Sequence, residues 1–479
     1  MSSVAVPSIP PADAPRPGGA GPAAEQTRSF WGGVWRDTFR TWRARVGSVW
    51  IVVLAFLGVF APFLANSHPL LMKMDGRWSS PLLENLTQVD VVLLVAFLAT
   101  IVLLFLRRFT VGQRAVMLVI VVLVAVVLVS WPVLAAEVRR LRELAALGAP
   151  EESREISGSA WGAGFLLVAS LAGAVALWLA LRVSTRAKVL LLLALLPLVG
   201  LLVSNRVLPP ATQVYEEYRR WEREGRLQYV LRAVVPYSSS DRSRDVLDAR
   251  LRPPSRGHWF GTENEGADVL SGIVHASRVA LAIGIISTGI AVVIGVIVGG
   301  LMGFFAGKVD LIGMRLIEIF EAIPTLILLI TFVAFFGRNL YIMMAIIGAT
   351  TWTPDARFIR AEFLKLRKQD FVQEAIAAGL PLHSVLFRHM LPNGITPVLV
   401  SASFGIAWAI LYESTLSFLG LGVVDAPSWG NLLEQARHGG AFIWWLAIFP
   451  GMTIFFTVFA YNLVGESLRD AIDPYINRK

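Results

Sequence analysis

The stretch that decides the fold is DFVQEAIAAGLPLHSVLFRHMLPN, residues 370–393. Long apolar segments flank it, yet it carries Asp370, Gln373, Glu374, His383, Arg388 and His389 and is interrupted at Gly379-Leu380-Pro381. Helical propensity runs high from Asp355 through Ala378, and Gly379 then offers a residue that ends a helix in the left-handed conformation. Pro381 suits the first turn of a second helix, where its missing N–H forfeits no intrahelical bond, and Leu391-Pro392-Asn393 ends that helix. The pattern predicts a helix, a tight turn and a short helix beside the basic cluster Arg357, Arg360, Lys365, Arg367 and Lys368. Such a cluster belongs on the cytoplasmic side of a membrane. Two readings fit a unit of this kind: a docking part that passes movement to the spans beside it, or a plain amphipathic surface loop.

The membrane itself is read from composition. Of 479 residues, 55% are hydrophobic and 16% charged, with mean hydropathy +0.63, whereas soluble domains are about 25% charged. Apolar runs of roughly 20 residues recur, the length that crosses a hydrocarbon core of about 30 Å as a helix. Runs such as AVMLVIVVLVAVVLVSWPVLAA lack the alternation of barrel strands, so the expected class is all-α and polytopic. The net charge of +9 comes from arginines beside membrane segments that form no continuous basic face, which argues against nucleic acid. Cysteine is absent, which removes disulfides, thiolate nucleophiles and cysteine-based metal sites.

Residues 1–27, rich in Pro, Ala and Gly, read as a disordered tail, and 28–65 as a cytoplasmic segment and first span. The run VWIVVLAFLGVFAPFLA follows Arg28, Arg36, Arg40, Arg43 and Arg45, is longer than a signal-peptide core and is expected to be a retained anchor with a cytoplasmic N-terminus. An extracytoplasmic loop, 66–89, precedes four apolar runs near 90–106, 115–136, 160–181 and 187–204, an inserted membrane segment spanning 90–204. Arg107, Arg108 and Arg114, then Arg182, Arg186 and Lys188, mark cytoplasmic turns, while loop 137–159 mixes arginines with glutamates and is placed outside. Residues 205–272 are polar and extracytoplasmic on this count. The core, 273–470, has runs near 278–305, 312–336, 339–353, 394–420 and 441–464 around a cytoplasmic loop at 355–393, and 471–479 form a cytoplasmic tail. The total is about ten spans, and an even count returns both termini to one side.

Gly295, Gly299 and Gly303 lie on one helix face. They either let another transmembrane helix approach closely, from this chain or a partner, or reflect the general abundance of glycine in membrane helices. Glu413, in an apolar context, fits a translocation path or gate, or a position at the membrane edge. Glu318 and Glu321, before Pro324, read as solvated at a helix end.

Residues 370–393 resemble the cytoplasmic loop of ATP-binding-cassette importer permeases, whose pattern is Glu-Ala-Ala, three residues, Gly, nine residues, Ile, one residue, Leu-Pro. Gln373, Glu374 and Ala375 take the first places, Gly379 falls at the required spacing, and Leu391-Pro392 closes the motif. Gln373 for the usual Glu and His389 for the usual Ile are departures, the second being common in the dipeptide, oligopeptide and nickel branch. Phe260-Gly261-Thr262 through Gly266-Ala267-Asp268-Val269-Leu270 is similar to that branch, with Ala267 replacing its Arg. So are Glu413-Ser414-Thr415-Leu416-Ser417-Phe418-Leu419-Gly420-Leu421-Gly422, Pro427-Ser428-Trp429-Gly430-Asn431, and Leu468 to Pro474. The match is loose over 28–65 and close over 253–476; short stretches around Asn66-Ser67-His68 and Pro253-Pro254-Ser255 look most like the Yej-type permease, and the inserted helices lie outside the pattern.

The resemblance implies the type I importer transmembrane fold in a bacterial inner membrane. It implies half of a path for oligopeptides or peptide-like compounds, shared with a homologous second permease and served by two cytoplasmic ATP-binding subunits and an extracytoplasmic substrate-binding protein. Nickel or another small solute is the alternative cargo. No cofactor is implied, and the chain is expected not to be an enzyme: GFFAGKV lacks one spacer residue and the hydroxyl of a phosphate loop, so ATP chemistry falls to another chain. A membrane-embedded enzyme needs a convergent set of acids, bases or ligands, and the six histidines have no metal-ligand spacing. A secondary transporter, the other rival, calls for repeated halves and buried charges in several spans.

Overall fold

Apolar runs in lipid must satisfy their backbone groups within themselves, and they do so here as helices. The computed structural model describes residues 30–105, 109, 112–127, 215–239, 241, 249–423, 426–437 and 442–472. The expected tail 1–27, the runs at 160–181 and 187–204, the loop between 137 and 159 and the end 473–479 lie outside the described residues. In chain order the elements are α1 (Phe30–Arg40), α2 (Trp42–Leu64), β1 (Leu71–Met74), β2 (Arg77–Ser79), α3 (Gln88–Phe105) and α4 (Gly112–Val127). Then follow α5 (Tyr215–Arg223), β3 (Leu227–Leu231), α6 (Val269–Phe305), α7 (Gly307–Ala322), α8 (Thr325–Phe336), α9 (Leu340–Thr350) and α10 (Thr353–Leu366). The last are α11 (Asp370–Ala377), α12 (Thr396–Leu416), α13 (Trp429–Gln435) and α14 (Trp444–Ile472). Among the described residues five helices are long and apolar enough to cross a membrane, or six if the bent pair α7–α8 is one span.

The axis of the bundle is α6, whose 37 residues reach about 55 Å at 1.5 Å each. Asp268 caps it by accepting from the Ser271 amide at 2.8 Å. Against α6 pack α2, α12 and the pair α9–α10. Gly58 of α2 faces Ser277 and Arg278, Gly284 faces Ile406 and Ile410 of α12, and Gly348 of α9 faces Ile290. On the other side of α2 lies α14, where Trp50 Nε1 donates to Thr457 Oγ1 at 3.1 Å and Thr41 Oγ1 to Ser467 Oγ at 3.0 Å.

Three expectations change. The run 312–336 is two helices bent by 82°, because Pro324 has no N–H to continue α7 and drives Ile323 into extended backbone. The run 339–353 ends as a helix at Thr350, and after Thr351-Trp352 the chain goes on as α10, parallel to α6. The single helix expected from Asp355 to Ala378 divides at Arg367–Gln369: Gln369 is extended at ψ 148, and the side chain of Gln373 donates to the Arg367 carbonyl at 2.6 Å.

The end of the bundle holding the α6 cap also carries a small sheet, order β2-β1-β3. Its hairpin turns at Asp75 and Gly76, both at positive φ, the Asp-Gly signature of a two-residue loop. Strand β3 pairs antiparallel with β1, so the segments on either side of the insertion are one unit.

The first two helices of the insertion are fastened to the core. Leu94, Val95, Ala99 and Leu103 of α3 pack with Met117, Ile120 and Val121 of α4 and with Val59, Phe60 and Phe63 of α2. Beside them Arg278 of α6 reaches Asp90 Oδ1 at 2.5 Å and the Gly58 carbonyl at 2.6 Å, and Asp90 Oδ2 accepts from Thr87 N and Oγ1. Removing one member of a buried pair strands the other charge, at a cost of about 3–5 kcal/mol. Asp90→Leu should therefore lower the thermal midpoint of the purified chain, and Asp90→Leu with Arg278→Met should recover most of the loss. A double variant as unstable as the single would show that the pair does not act through charge.

Candidate functional site

The predicted glycine face and the predicted turn meet on α10. Gly295, Gly299 and Gly303 face α10 of the same chain. A Cβ at Gly295 would lie 2.6 Å from Asp355 Cβ, one at Gly303 2.5 Å from Phe363 Cβ, and one at Gly299 would collide with the Ala356 carbonyl oxygen. Glycine therefore brings two backbones into contact over two turns of helix. At the far end of α10, Ile359 and Phe363 form one core with Val296 of α6, Val372 and Ala375 of α11, and Val385, Leu386 and Met390. Salt bridges tie the same helix to α7, Arg360 to Asp310 and Arg357 to Glu321. Glu318 pairs with Arg315 within α7.

The turn after α11 is a complete Schellman closure. Gly379, at φ +72, donates to Ile376 O at 2.9 Å and Leu380 to Ala375 O at 3.2 Å. Pro381 caps the next segment instead of lying inside its first turn. That segment does not stop at Leu391-Pro392-Asn393. It widens into a π-wound turn, Val385–Met390, and continues through Leu391–Gly394 to α12. The wider winding relieves the clash that Pro392 would make with the carbonyl four residues earlier. Val372 and Ala375 are buried beneath this unit, while Gln373, Glu374, Phe371, Ile376, Leu380, Leu382 and Phe387 are exposed around it. The unit thus presents a clustered apolar surface on a rigid base.

At the other end of α10 a cavity of about 640 Å³ opens along the bundle. It follows α12 from Pro397 to Tyr412, about 22 Å of helix. Its hydroxyls are Thr288, Thr325, Thr350, Thr351, Thr353 and Ser401, its aromatic groups Phe358, Phe404, Trp408 and Tyr412, and its charges Asp355 and Arg469. The break at Thr351-Trp352 supplies much of this polar wall. Irregular backbone within a membrane fold is tolerated where it lines a cavity.

Glu413 is one residue beyond Tyr412 but is not on that wall. It is 1% exposed, accepts from Ser417 Oγ at 2.7 Å and is bonded by the Ser428 hydroxyl, fixing the end of α12 to α13. Gly430 and Gly422 allow the approach, since a Cβ at either would strike Ser414, Ser417 or Asn431. The Gly261-Thr262 segment is a second fastening: Thr262 Oγ1 donates to Ala249 O at 2.7 Å, and Trp445 Nε1 donates to Thr262 O at 3.2 Å. Among the described residues no group of His, Asp and Glu could hold a metal ion; His68 bonds Tyr218 OH and His258 bonds Asp268. Asp355 is the site residue that sequence reasoning passed over. Its signal was an acid in the first helical turn after a threonine-rich break between apolar helices.

A lengthwise groove with hydroxyls and aromatic rings on its wall, bounded by broken helices and joined by one helix to an exposed turn, fits a membrane permease. Comparison with known proteins gives the same class. Residues 291–478 match the family described as "Binding-protein-dependent transport system inner membrane component". The oligopeptide transport system permease protein OppC of Haemophilus influenzae is 37% identical over 241 residues, covering 50% of this chain and 77% of that protein. The dipeptide permease DppC of Alkalihalophilus pseudofirmus is 34% identical over 229 residues, 47% of this chain and 74% of its own length. The glutathione transport system permease protein GsiD of Pectobacterium atrosepticum is 36% identical over 222 residues, with 46% and 74% covered. Among solved structures, an inward-facing MetNI methionine ABC transporter aligns with 42% of this chain and 97% of its own, at 17% identity and a TM-score of 0.35. The chain belongs to the family of binding-protein-dependent transport system inner membrane components. It is an inner-membrane transport permease and not an enzyme.

The glycine contact generates a controlled comparison. Gly299→Ala should destabilise the purified chain by about 1–3 kcal/mol, the usual range for overpacking. Gly289→Ala, on the same helix with nothing within 4 Å of the added methyl, should leave it unchanged or slightly more stable. Equal thermal midpoints for the two variants would contradict the close approach.

Proposed function

We propose that the chain is the half-path subunit of an ATP-driven importer of oligopeptides or peptide-like compounds. In this reading a homologous second permease completes the groove, two ATP-binding subunits work it from the cytoplasm, and a substrate-binding protein delivers cargo at the sheet-bearing, extracytoplasmic end. The observation that carries the reading is that α10 begins in the groove at Asp355 and ends beneath the docking turn at Phe363. Force applied to Gln373, Glu374, Ala375, Gly379, Leu391 or Pro392 reaches the groove wall through one packed body. The peptide substrate is supported by the relatives' names, oligopeptide, dipeptide and glutathione permeases, and by the mixed aromatic and hydroxyl wall, which suits a ligand with both amide and apolar parts.

The coupling role is tested at Gly379. No atom lies within 4 Å of a Cβ built there, so Gly379→Val acts through backbone strain alone, on the order of 1–2 kcal/mol. Peptide uptake and substrate-stimulated ATP hydrolysis should fall together while membrane insertion stays at the wild-type level. Normal uptake with normal stimulated hydrolysis would remove the coupling role. The cargo is tested in a strain lacking this chain and any redundant peptide importer, which should lose uptake of labelled oligopeptides; intact peptide uptake with lost nickel accumulation would assign the other cargo.

A further inference from the structure

The groove wall holds a carboxylate that the fold leaves incomplete. Asp355 is 4% exposed, and its Oδ1 is a buried atom with no hydrogen-bond partner, although the residue lines the cavity. Ser401 hydrogen-bonds the carboxylate. Arg469, the other charged residue on the wall, makes no ion pair with it. A buried carboxylate with an unpaired oxygen is costly, and Asp355 reaches this position only because Gly295 has no side chain in its way.

A structural explanation is available, since Asp355 stands in the first turn of α10, where a carboxylate eases the helix dipole. A carboxylate serving only that purpose would turn its oxygens to the free amides of its own helix. Oδ1 accepts from none of them. A second orphan group, the Thr288 hydroxyl, lines the same cavity and can accept as well as donate. Along the cavity stand the paired rings of Trp408 and Tyr412, 5.9 Å between centroids. Acceptors beside aromatic faces are the chemistry that takes up an ammonium group.

We propose that Asp355 is a substrate-binding residue of the groove and takes the protonated amine of a passing peptide-like substrate against its free carboxylate oxygen. The proposal rests on the peptide reading above for its ligand class. It gives the permease its own preference for cationic amines, separate from whatever a soluble binding protein selects.

The test uses the assembled importer, purified through this chain and freed of binding protein, with two probes of equal length. Trialanine amide carries one positive charge, and its N-acetylated form carries none. By calorimetry the wild-type assembly should bind the charged probe about tenfold more tightly or better, a difference of about 1.4 kcal/mol. Asp355→Asn should abolish that preference by weakening the charged probe alone, and Asp355→Glu should keep it. The proposal is overturned if the preference survives Asp355→Asn, if both probes weaken equally, or if the wild type shows no preference. A wild-type assembly that prefers the amine yet imports no peptide into vesicles once its binding protein is restored refutes the peptide reading and leaves the cation site standing.

Discussion

The structure depends on the approach of α6 to α10 over Gly295, Gly299 and Gly303. Side chains there would push the two backbones apart, and three features would go with them: the seat of Asp355, the base under the docking turn, and the parallel course of α9 and α10 along α6. Lipid offers no hydrophobic drive between helices, so such contacts hold by shape. The salt bridges Arg360–Asp310 and Arg357–Glu321 add the bent α7 to the same body.

The proposed function rests on what this body joins. One end is a Schellman-closed turn with apolar residues left uncovered, and the other is the wall of a groove with hydroxyls, aromatic rings and a carboxylate. The opposite end of the bundle is secured differently, by Glu413 among serines, by the Thr262 loop and by the sheet that spans the insertion. Asp90 and Arg278, with the apolar core beside them, make the first two inserted helices part of the bundle's flank.

Much of this was legible in the sequence where a residue has one physical use. Gly379 between a helical run and Pro381 announces a left-handed turn, and a strip of glycines four apart announces a close neighbour. Which neighbour was not legible: spacing gives a face, not its partner, and the face meets α10 of the same chain. Hydropathy measured the apolar runs but not their breaks, so α7–α8 and α9–α10 read as simpler spans. Pro324 was visible as a breaker, and Pro354, in the first turn of α10, marks the break at Thr351-Trp352 in the same way. Glu413 and Asp355 show the same limit, since only the fold turns one into a serine nest and the other toward the groove. The Asp75-Gly76 hairpin was readable in principle, although its partner strand lies beyond the insertion.

The most direct measurement is a distance between α11 and α6 through the ATP cycle, and a chain without cysteine takes spin labels cleanly. Labels at Ala377 and Ile297, both exposed, in the assembled importer should keep their separation within about 2 Å between nucleotide-free and ATP-bound states, the scale of ordinary helix shifts. A larger change, in samples confirmed to transport, would mean that the docking turn moves independently of the groove wall and that α10 does not join them.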